Sequence, residues 1–132
     1  VGDTAIASFG DLLRSTIRDT DIAGRIGGEE FCILVWNCPG EPTLNLAERI
    51  RARFEQLPIA GISDDVRLTA SFGVAQWVTD EGYGRLFARG DAALYRAKEG
   101  GRNRTVRDSA GKKRNVVTSI TQSVEERREA SV

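Results

Sequence analysis

The chain has 132 residues, with 19 basic and 19 acidic side chains and no histidine. This length allows one domain, and the missing histidine excludes a Ser-His-Asp triad, a Cys-His pair and a histidine-ligated metal built from this chain alone. Any catalysis must therefore use carboxylates, lysine, backbone groups or a metal held by oxygen. Cys32 and Cys38 fit buried thiols better than a disulfide framework, and no apolar stretch approaches a membrane span, so we expect a cytoplasmic domain without membrane contact.

The first predicted element is a helix over residues 4–17. Its apolar side chains recur at steps of three and four residues, a spacing that places them on one buried face. They are Ile6, Phe9, Leu13 and Ile17. Asp3 or Thr4 is well placed to cap this helix, because short polar side chains accept hydrogen bonds from its first backbone N–H groups.

Two strands are predicted next, on either side of a glycine pair. A short strand over residues 22–26 leads to Gly27 and Gly28, and residues 31–36 form a continuous apolar run. This pattern predicts a β-hairpin whose second strand is covered on both faces of a sheet.

A second helix is predicted from Pro42 onward and a third over residues 85–98, where a glycine pair ends it. The apolar face of the second helix comprises Ala47, Ile50, Phe54 and Leu57. Between the two helices, residues 66–78 predict a strand or hairpin arm with a possible bulge at Gly73. Residues 105–107 predict a last short strand. Helices that alternate with strands indicate an α/β or α+β sheet flanked by helices.

The sequence changes character after Asp108. From residue 109 to residue 132 it has no aromatic side chain and no periodic apolar positions. We therefore predict a domain over residues 1–108 and a flexible or marginally helical tail over 109–132. Residues 96–114 carry eight basic and two acidic side chains, which could meet a phosphate-bearing partner or form an ordinary solvated end.

Two adjacent carboxylates, Glu29 and Glu30, follow the glycine pair of the predicted hairpin. Glycines permit a tight turn and close approach of the backbone to a bulky ligand, and carboxylate oxygens are hard ligands for Mg²⁺ or Mn²⁺. The alternative for this motif is an exposed acidic turn.

A second motif, DAALYRAKEGGRNR at residues 91–104, covers the end of the third predicted helix. Lys98 and Arg102 flank the helix end, and the glycine pair between them lets the chain fold back so that both cations can point at one anion. The alternative is ordinary capping of a helix C-terminus by basic residues.

Together the two motifs resemble the GGDEF domain of diguanylate cyclases, in its GGEEF variant. The resemblance spans about residues 1–107 and includes ASFGVA at 70–75. It implies the palm-like α/β (α+β) fold of nucleotidyl cyclases, in which two domains, each holding one GTP, form cyclic di-GMP and release two pyrophosphates. Implied partners are GTP, cyclic di-GMP, a second copy in a homodimer and an upstream sensory or receiver region, with Mg²⁺ or Mn²⁺ as cofactor.

The resemblance also implies a role for each motif residue. Glu29 would be a metal ligand beside the attacking 3′-hydroxyl, and Glu30 would support the metal or the deprotonation of that hydroxyl. Lys98 and Arg102 would hold the β- and γ-phosphates. Gly28 would let the nucleotide lie against the hairpin backbone.

Two further sites match the family. Asp3 falls where the family recognises guanine, whose N1 and N2 donors suit a carboxylate, although helix capping is the alternative. Arg18 and Asp21 match the spacing of an inhibitory cyclic di-GMP site, which Arg49 would join. For Arg18 and Asp21 the alternative is a local salt bridge at a helix end.

The chain is shorter than a whole domain of this family. A helix and the central strand with its metal-binding Asp would precede residue 1, so the resemblance implies N-terminal truncation and an incomplete metal site. The sheet would lack an inner strand unless dimerisation, swapping or another segment completes it. We expect this chain alone to be poorly active. The alternative functions are a non-catalytic GTP or cyclic di-GMP receptor and, less favoured because stacking aromatics are lacking, a nucleic-acid contact at residues 96–114.

Overall fold

The computed structural model describes residues 3–19, 21–25, 27, 30–36, 40–58, 66–78, 80–108 and 117–128. Within these ranges the chain forms three helices, α1 (Asp3–Thr16), α2 (Gly40–Gln56) and α3 (Tyr83–Glu99). It forms five strands, β1 (Ile22–Arg25), β2 (Glu30–Trp36), β3 (Val66–Gln76), β4 (Thr105–Arg107) and β5 (Val117–Arg128). The predicted fold, a sheet flanked by helices, is confirmed.

The strands form one sheet in the order β1-β2-β5-β3-β4. β1 and β2 are the antiparallel arms of the predicted hairpin, with Arg25 opposite Phe31 nearest the turn. β3 and β4 are parallel, and β5 lies antiparallel to both β2 and β3. The hairpin and the β3–β4 pair are therefore joined through β5.

The C-terminal segment differs from its sequence prediction. Residues 117–128 form the central strand of the sheet rather than a flexible or marginally helical tail. β5 pairs with β2 from Glu30 to Trp36 and with β3 from Val66 to Gln76. Five of the eight residues from 117 to 124 are Val, Ile or Thr, which favour strands, but no alternation of apolar and polar positions marks a buried face, and strand formation also depends on the neighbours that a segment pairs with. The sheet is therefore completed by another segment of the same chain, which is one of the three alternatives named above.

One face of the sheet packs against α1 and α2 around the ring of Phe9. That ring lies 4.9 Å from the ring of Phe54 in an edge-on arrangement and 5.4 Å from the ring of Phe31. Such aromatic contacts add to the burial of apolar area. The predicted helix faces are confirmed for Ala47, Ile50 and Phe54 of α2, which are fully buried. Leu57 lies beyond the end of α2 and is exposed, unlike its prediction.

The other face of the sheet packs against α3 at an unusually short distance. A Cβ atom added to Gly73 would lie 2.3 Å from the carbonyl oxygen of Gly90 and 2.4 Å from the backbone nitrogen of Leu94. The pairing of β3 runs without interruption through Gly73, so the predicted bulge is absent. Only glycine fits here, because the obstructing atoms belong to the helix backbone and cannot rotate away.

The remaining predictions concern boundaries and the thiols. α1 ends at Thr16, but Ile17 still packs against the core. Cys32 is buried and is not in a disulfide, whereas Cys38 lies outside the described residues. Among the residues that the structure describes, no helix is both long enough and apolar enough to cross a membrane.

Candidate functional site

The GGEEF sequence lies at the turn between β1 and β2. The backbone N–H of Gly27 donates to the carbonyl oxygen of Glu30 at 3.4 Å, and β2 begins at Glu30. Gly28 and Glu29 lie outside the described residues, so the roles predicted for them stay predictions. Glu30 is the GGEEF carboxylate whose surroundings can be described.

The end of α3 brings Lys98 to this turn. Ala93, Leu94 and Ala97 are buried against the sheet and fix the helix there, which leaves Lys98 on the side of the hairpin. The Lys98 Nζ atom lies 3.8 Å from a carboxylate oxygen of Glu30, and the two side chains are 27% and 40% exposed. Two motifs that are distant in sequence are therefore joined in one partly screened ion pair.

The chain reverses direction directly after α3. Backbone N–H groups of Gly100, Gly101 and Arg102 donate to carbonyl oxygens of the last helical turn, at 2.9, 3.2 and 2.9 Å. Gly101 has φ +120°, which glycine adopts without steric cost. Arg102 is exposed, with φ 65°. The reversal therefore projects the Arg102 side chain from the same helix end that carries Lys98.

Arg104 supports this reversal, although the sequence motifs assign no role to it. Its Nε atom donates to the carbonyl oxygen of Arg102 at 3.0 Å. A Cβ atom added to Gly101 would lie 2.5 Å from an Arg104 guanidinium nitrogen, so the guanidinium lies directly over the glycine backbone. The positive φ of Gly101 is what requires glycine, because the Arg104 guanidinium is the end of a flexible side chain and could move away from a Cβ atom.

A groove of about 540 Å³ lies between α1 and the hairpin. Asp3, Arg14 and Arg25 line it together with apolar side chains, among them Phe31. A volume of a few hundred Å³ with apolar walls and a few charged groups is typical of small-molecule sites. Asp3 is exposed at the first turn of α1, so its carboxylate is available to this groove.

Arg18 and Asp21 form the local ion pair that was the alternative to a product site. The Arg18 backbone N–H donates to Asp21 Oδ2 at 2.9 Å, and its Nη2 donates to Oδ1 at 3.1 Å. The Asp21 side chain is fully buried, while that of Arg18 is 54% exposed. Arg49 is exposed on α2. The pair itself does not exclude a ligand, because part of the guanidinium still faces solvent.

Residues 1–104 match the family model described as "Diguanylate cyclase, GGDEF domain". The chain belongs to the GGDEF family. Its sequence is 41% identical over 105 residues to the diguanylate cyclase DgcM of Escherichia coli (strain K12), a match that covers 80% of this chain and 25% of DgcM. The chain spans between a quarter and a third of the length of the curated relatives it matches.

Solved GGDEF structures share the fold. The active GGEEF domain of a diguanylate cyclase from Vibrio cholerae has a TM-score of 0.74 and 34% identity, over 83% of this chain and 69% of that one. The GGDEF domain of DgcB from Caulobacter crescentus, solved in complex with c-di-GMP, has a TM-score of 0.73 and 26% identity, over 82% of this chain and 65% of that one. The predicted palm-like fold is confirmed. The match to the family model ends before β5.

The carboxylates of this GGDEF domain fit a divalent cation in kind, since Mg²⁺ prefers oxygen ligands. In the described part of the chain, however, no three His, Cys, Asp or Glu residues gather into a metal-holding group. Ser123 of β5 pairs with Glu30, and Glu125, two residues further, pairs with Thr69 of β3. The central strand therefore brings an acidic residue to the end of the sheet that carries the GGEEF sequence.

Proposed function

We propose that this chain is the catalytic module of a diguanylate cyclase that condenses two GTP molecules into cyclic di-GMP. The observation that carries the proposal is the meeting of Glu30 and Lys98. A carboxylate suited to a cation and an ammonium suited to a phosphate lie side by side, which is the pairing that a metal-bound triphosphate requires. If the GGEEF sequence were only an exposed acidic turn and the end of α3 only a capped helix, nothing would require Glu30 and Lys98 to lie side by side.

In this proposal one GTP would lie between the groove and the end of α3. Guanine would occupy the groove with its N1 and N2 donors towards Asp3, and Gly28 would let the nucleotide approach the hairpin. Lys98 and Arg102 would hold the β- and γ-phosphates, Lys98 as a point charge and Arg102 through its forked donors. In these assignments the cations at the end of α3 would bind the phosphates of the ligand, and the carboxylate at the start of α1 would bind its base.

The reaction needs a second copy of the domain. The 3′-oxygen of one GTP forms a bond to the α-phosphorus of the other, the bond from that phosphorus to the bridging oxygen breaks, and pyrophosphate leaves. The same exchange in the other direction closes the ring, and each hydroxyl proton passes to a base. Glu29 and Glu30 would hold Mg²⁺ or Mn²⁺, which lowers the pKa of the hydroxyl and neutralises the leaving group. In this proposal Glu30 also supports the removal of the proton.

Replacing Asp3 by Asn tests the guanine assignment. The Asp3→Asn variant is expected to bind GTP about 10- to 100-fold more weakly, because hydrogen bonds to a charged acceptor are worth about 1.5–3 kcal/mol. Titration calorimetry with GTP and Mg²⁺ measures the loss, and ATP should bind the wild-type chain less tightly than GTP does. The matched control is Asp19→Asn, an exposed aspartate after α1. Equal GTP affinity in wild type and Asp3→Asn would leave Asp3 as a helix cap alone.

A second candidate function is a non-catalytic receptor for cyclic di-GMP. Arg18, Asp21 and Arg49 would form its site, and the buried Asp21 that holds the partly exposed Arg18 guanidinium favours this role. Replacing Arg18 by Ala should remove most cyclic di-GMP binding in calorimetry, since a guanidinium binds phosphate through paired charged hydrogen bonds. Arg53→Ala, an exposed arginine on α2, is the control.

The product assay separates the two functions. A receptor binds cyclic di-GMP and yields none from GTP, whereas a cyclase with an inhibitory site does both. If Arg18→Ala binds cyclic di-GMP as tightly as the wild type does, the proposed site is wrong for both the receptor and the inhibited cyclase.

A further inference from the structure

The two residues after Gly101 adopt a backbone conformation that non-glycine residues rarely occupy. Arg102 has φ 65° and Asn103 has φ 46°. Asparagine tolerates this left-handed region, whereas arginine rarely adopts it, and such a conformation persists only when surrounding contacts enforce it. The contacts that enforce this conformation therefore also determine where Arg102 lies.

Asn103 makes these contacts with both its backbone and its side chain. Its backbone N–H donates to the Ser71 hydroxyl of β3 at 3.0 Å. Its Oδ1 atom accepts from Arg51 Nη1 at 3.0 Å, and its Nδ2 donates to Glu55 Oε2 at 2.6 Å. One side chain thus connects the loop after α3 to two neighbouring turns of α2.

Arg51 is itself held in place from the other side. Its Nε and Nη2 atoms donate to the Glu48 carboxylate at 3.0–3.2 Å, and its side chain is only 20% exposed. Burial raises the pKa of Glu48, but the hydrogen bonds and the positive charge of Arg51 act against burial, and the pKa lies below its usual value. Glu48 therefore stays ionised at neutral pH, and Arg51 keeps one orientation towards Asn103.

We propose that Asn103, clamped by Arg51 and Glu55, is a positioning residue that fixes the direction of the Arg102 guanidinium for phosphate binding. This inference rests on the proposed role of Arg102 in holding the GTP phosphates. The clamp does not touch the ligand. It fixes the left-handed backbone at residues 102–103, and so sets in advance where the guanidinium points, which reduces the ordering cost of binding.

Three variants test the clamp. Asn103→Gly keeps the left-handed backbone but removes both side-chain hydrogen bonds. Asn103→Asp keeps the acceptor for Arg51 but sets a second carboxylate against Glu55. The double variant Asn103→Asp with Glu55→Gln restores the hydrogen bond in the opposite direction and keeps the net charge of the cluster. We expect Kd for pyrophosphate, and for GTP with Mg²⁺, to rise roughly tenfold in both single variants and to return to near the wild-type value in the double variant.

Arg102→Ala decides whether the clamp acts through Arg102. In that background Asn103→Gly should change Kd less than about twofold, because residues acting through one group are not additive. A full additional loss, or no recovery in the rescue variant, would overturn the proposal. Arg51→Gln should behave like Asn103→Gly, whereas Arg53→Gln, on an exposed position of α2, should bind as wild type does.

Amide hydrogen exchange without ligand separates this inference from the proposed function. Exchange at residues 100–104 should accelerate in Asn103→Gly and recover in the rescue variant, while the sheet amides keep their protection. Unchanged exchange at 100–104 overturns the clamp whatever the substrate is. Accelerated exchange in a protein that binds neither GTP nor pyrophosphate overturns the proposed function and, with it, the link to phosphate binding.

Discussion

Truncation of the chain after Asp108 is expected to abolish cooperative folding. β5 is the central strand and pairs with β2 on one edge and β3 on the other, so its removal leaves two strand edges without backbone partners beside an apolar core. Circular dichroism and thermal unfolding measure the effect, and size-exclusion chromatography detects the aggregation that open strand edges favour. Truncation after Arg128 is the control and should unfold as the full chain does.

A single substitution gives the same test without removing residues. Thr121 pairs with Cys32 on one side and Gly73 on the other. Thr121→Pro removes an N–H from the middle of the sheet and leaves a buried carbonyl oxygen without its donor, which is expected to cost roughly 1–3 kcal/mol, whereas Thr121→Val keeps the strand and should change little. If the chain ending at Asp108 melts like the full chain, residues 1–108 are a self-sufficient domain and β5 is dispensable.

Replacement of Glu29 by Ala is expected to reduce cyclic di-GMP formation at least roughly 100-fold, a typical loss when a group that activates a nucleophile is removed. The fold should be unaffected, because Glu29 is a charged residue next to a glycine pair and lies outside the apolar runs of the sequence. Pyrophosphate binding should also persist, since Lys98 and Arg102 are unchanged. The assay follows product from GTP and Mg²⁺ over long incubation at high protein concentration, because two copies must meet and we expect low activity.

Asp19→Ala is the control for this experiment, since it removes an exposed carboxylate from the surface after α1. Equal product formation by the wild type and Glu29→Ala would exclude the metal role of Glu29. No product from either protein, together with tight binding of cyclic di-GMP, would favour the receptor function over the cyclase.

The elements with a strong local pattern could be predicted from the sequence. The three-and-four spacing of Ile6, Phe9 and Leu13 gives α1, and the apolar run after Gly27 and Gly28 gives β2. Helix faces and buried strands follow from side-chain periodicity, which is a property of the local chain. The motif residues Glu30, Lys98 and Arg102 can also be predicted from the sequence, because each lies in a short motif whose residue types suit a stated chemistry.

The other features depend on residues that are far apart in sequence. Asn103 and Arg51 carry no pattern that links them, although an asparagine after Gly100, Gly101 and Arg102 is a local signal for a left-handed turn. Their contact exists because α2 and the loop after α3 pack against the same part of β3. The sequence around Gly73 likewise predicts a bulge, whereas in the structure α3 packs closely against this residue.

Local sequence patterns are sufficient for the family, the helix and hairpin order, and the acidic and basic residues that a triphosphate site needs. The contact between Glu30 and Lys98, the hydrogen bonds of Asn103 to α2, and the central position of residues 117–128 in the sheet depend on the folded arrangement. The physical reason is the range of the forces involved. Periodicity and turn chemistry are set by neighbouring residues, whereas a strand whose apolar residues do not alternate is stabilised mainly by the two strand edges that it joins.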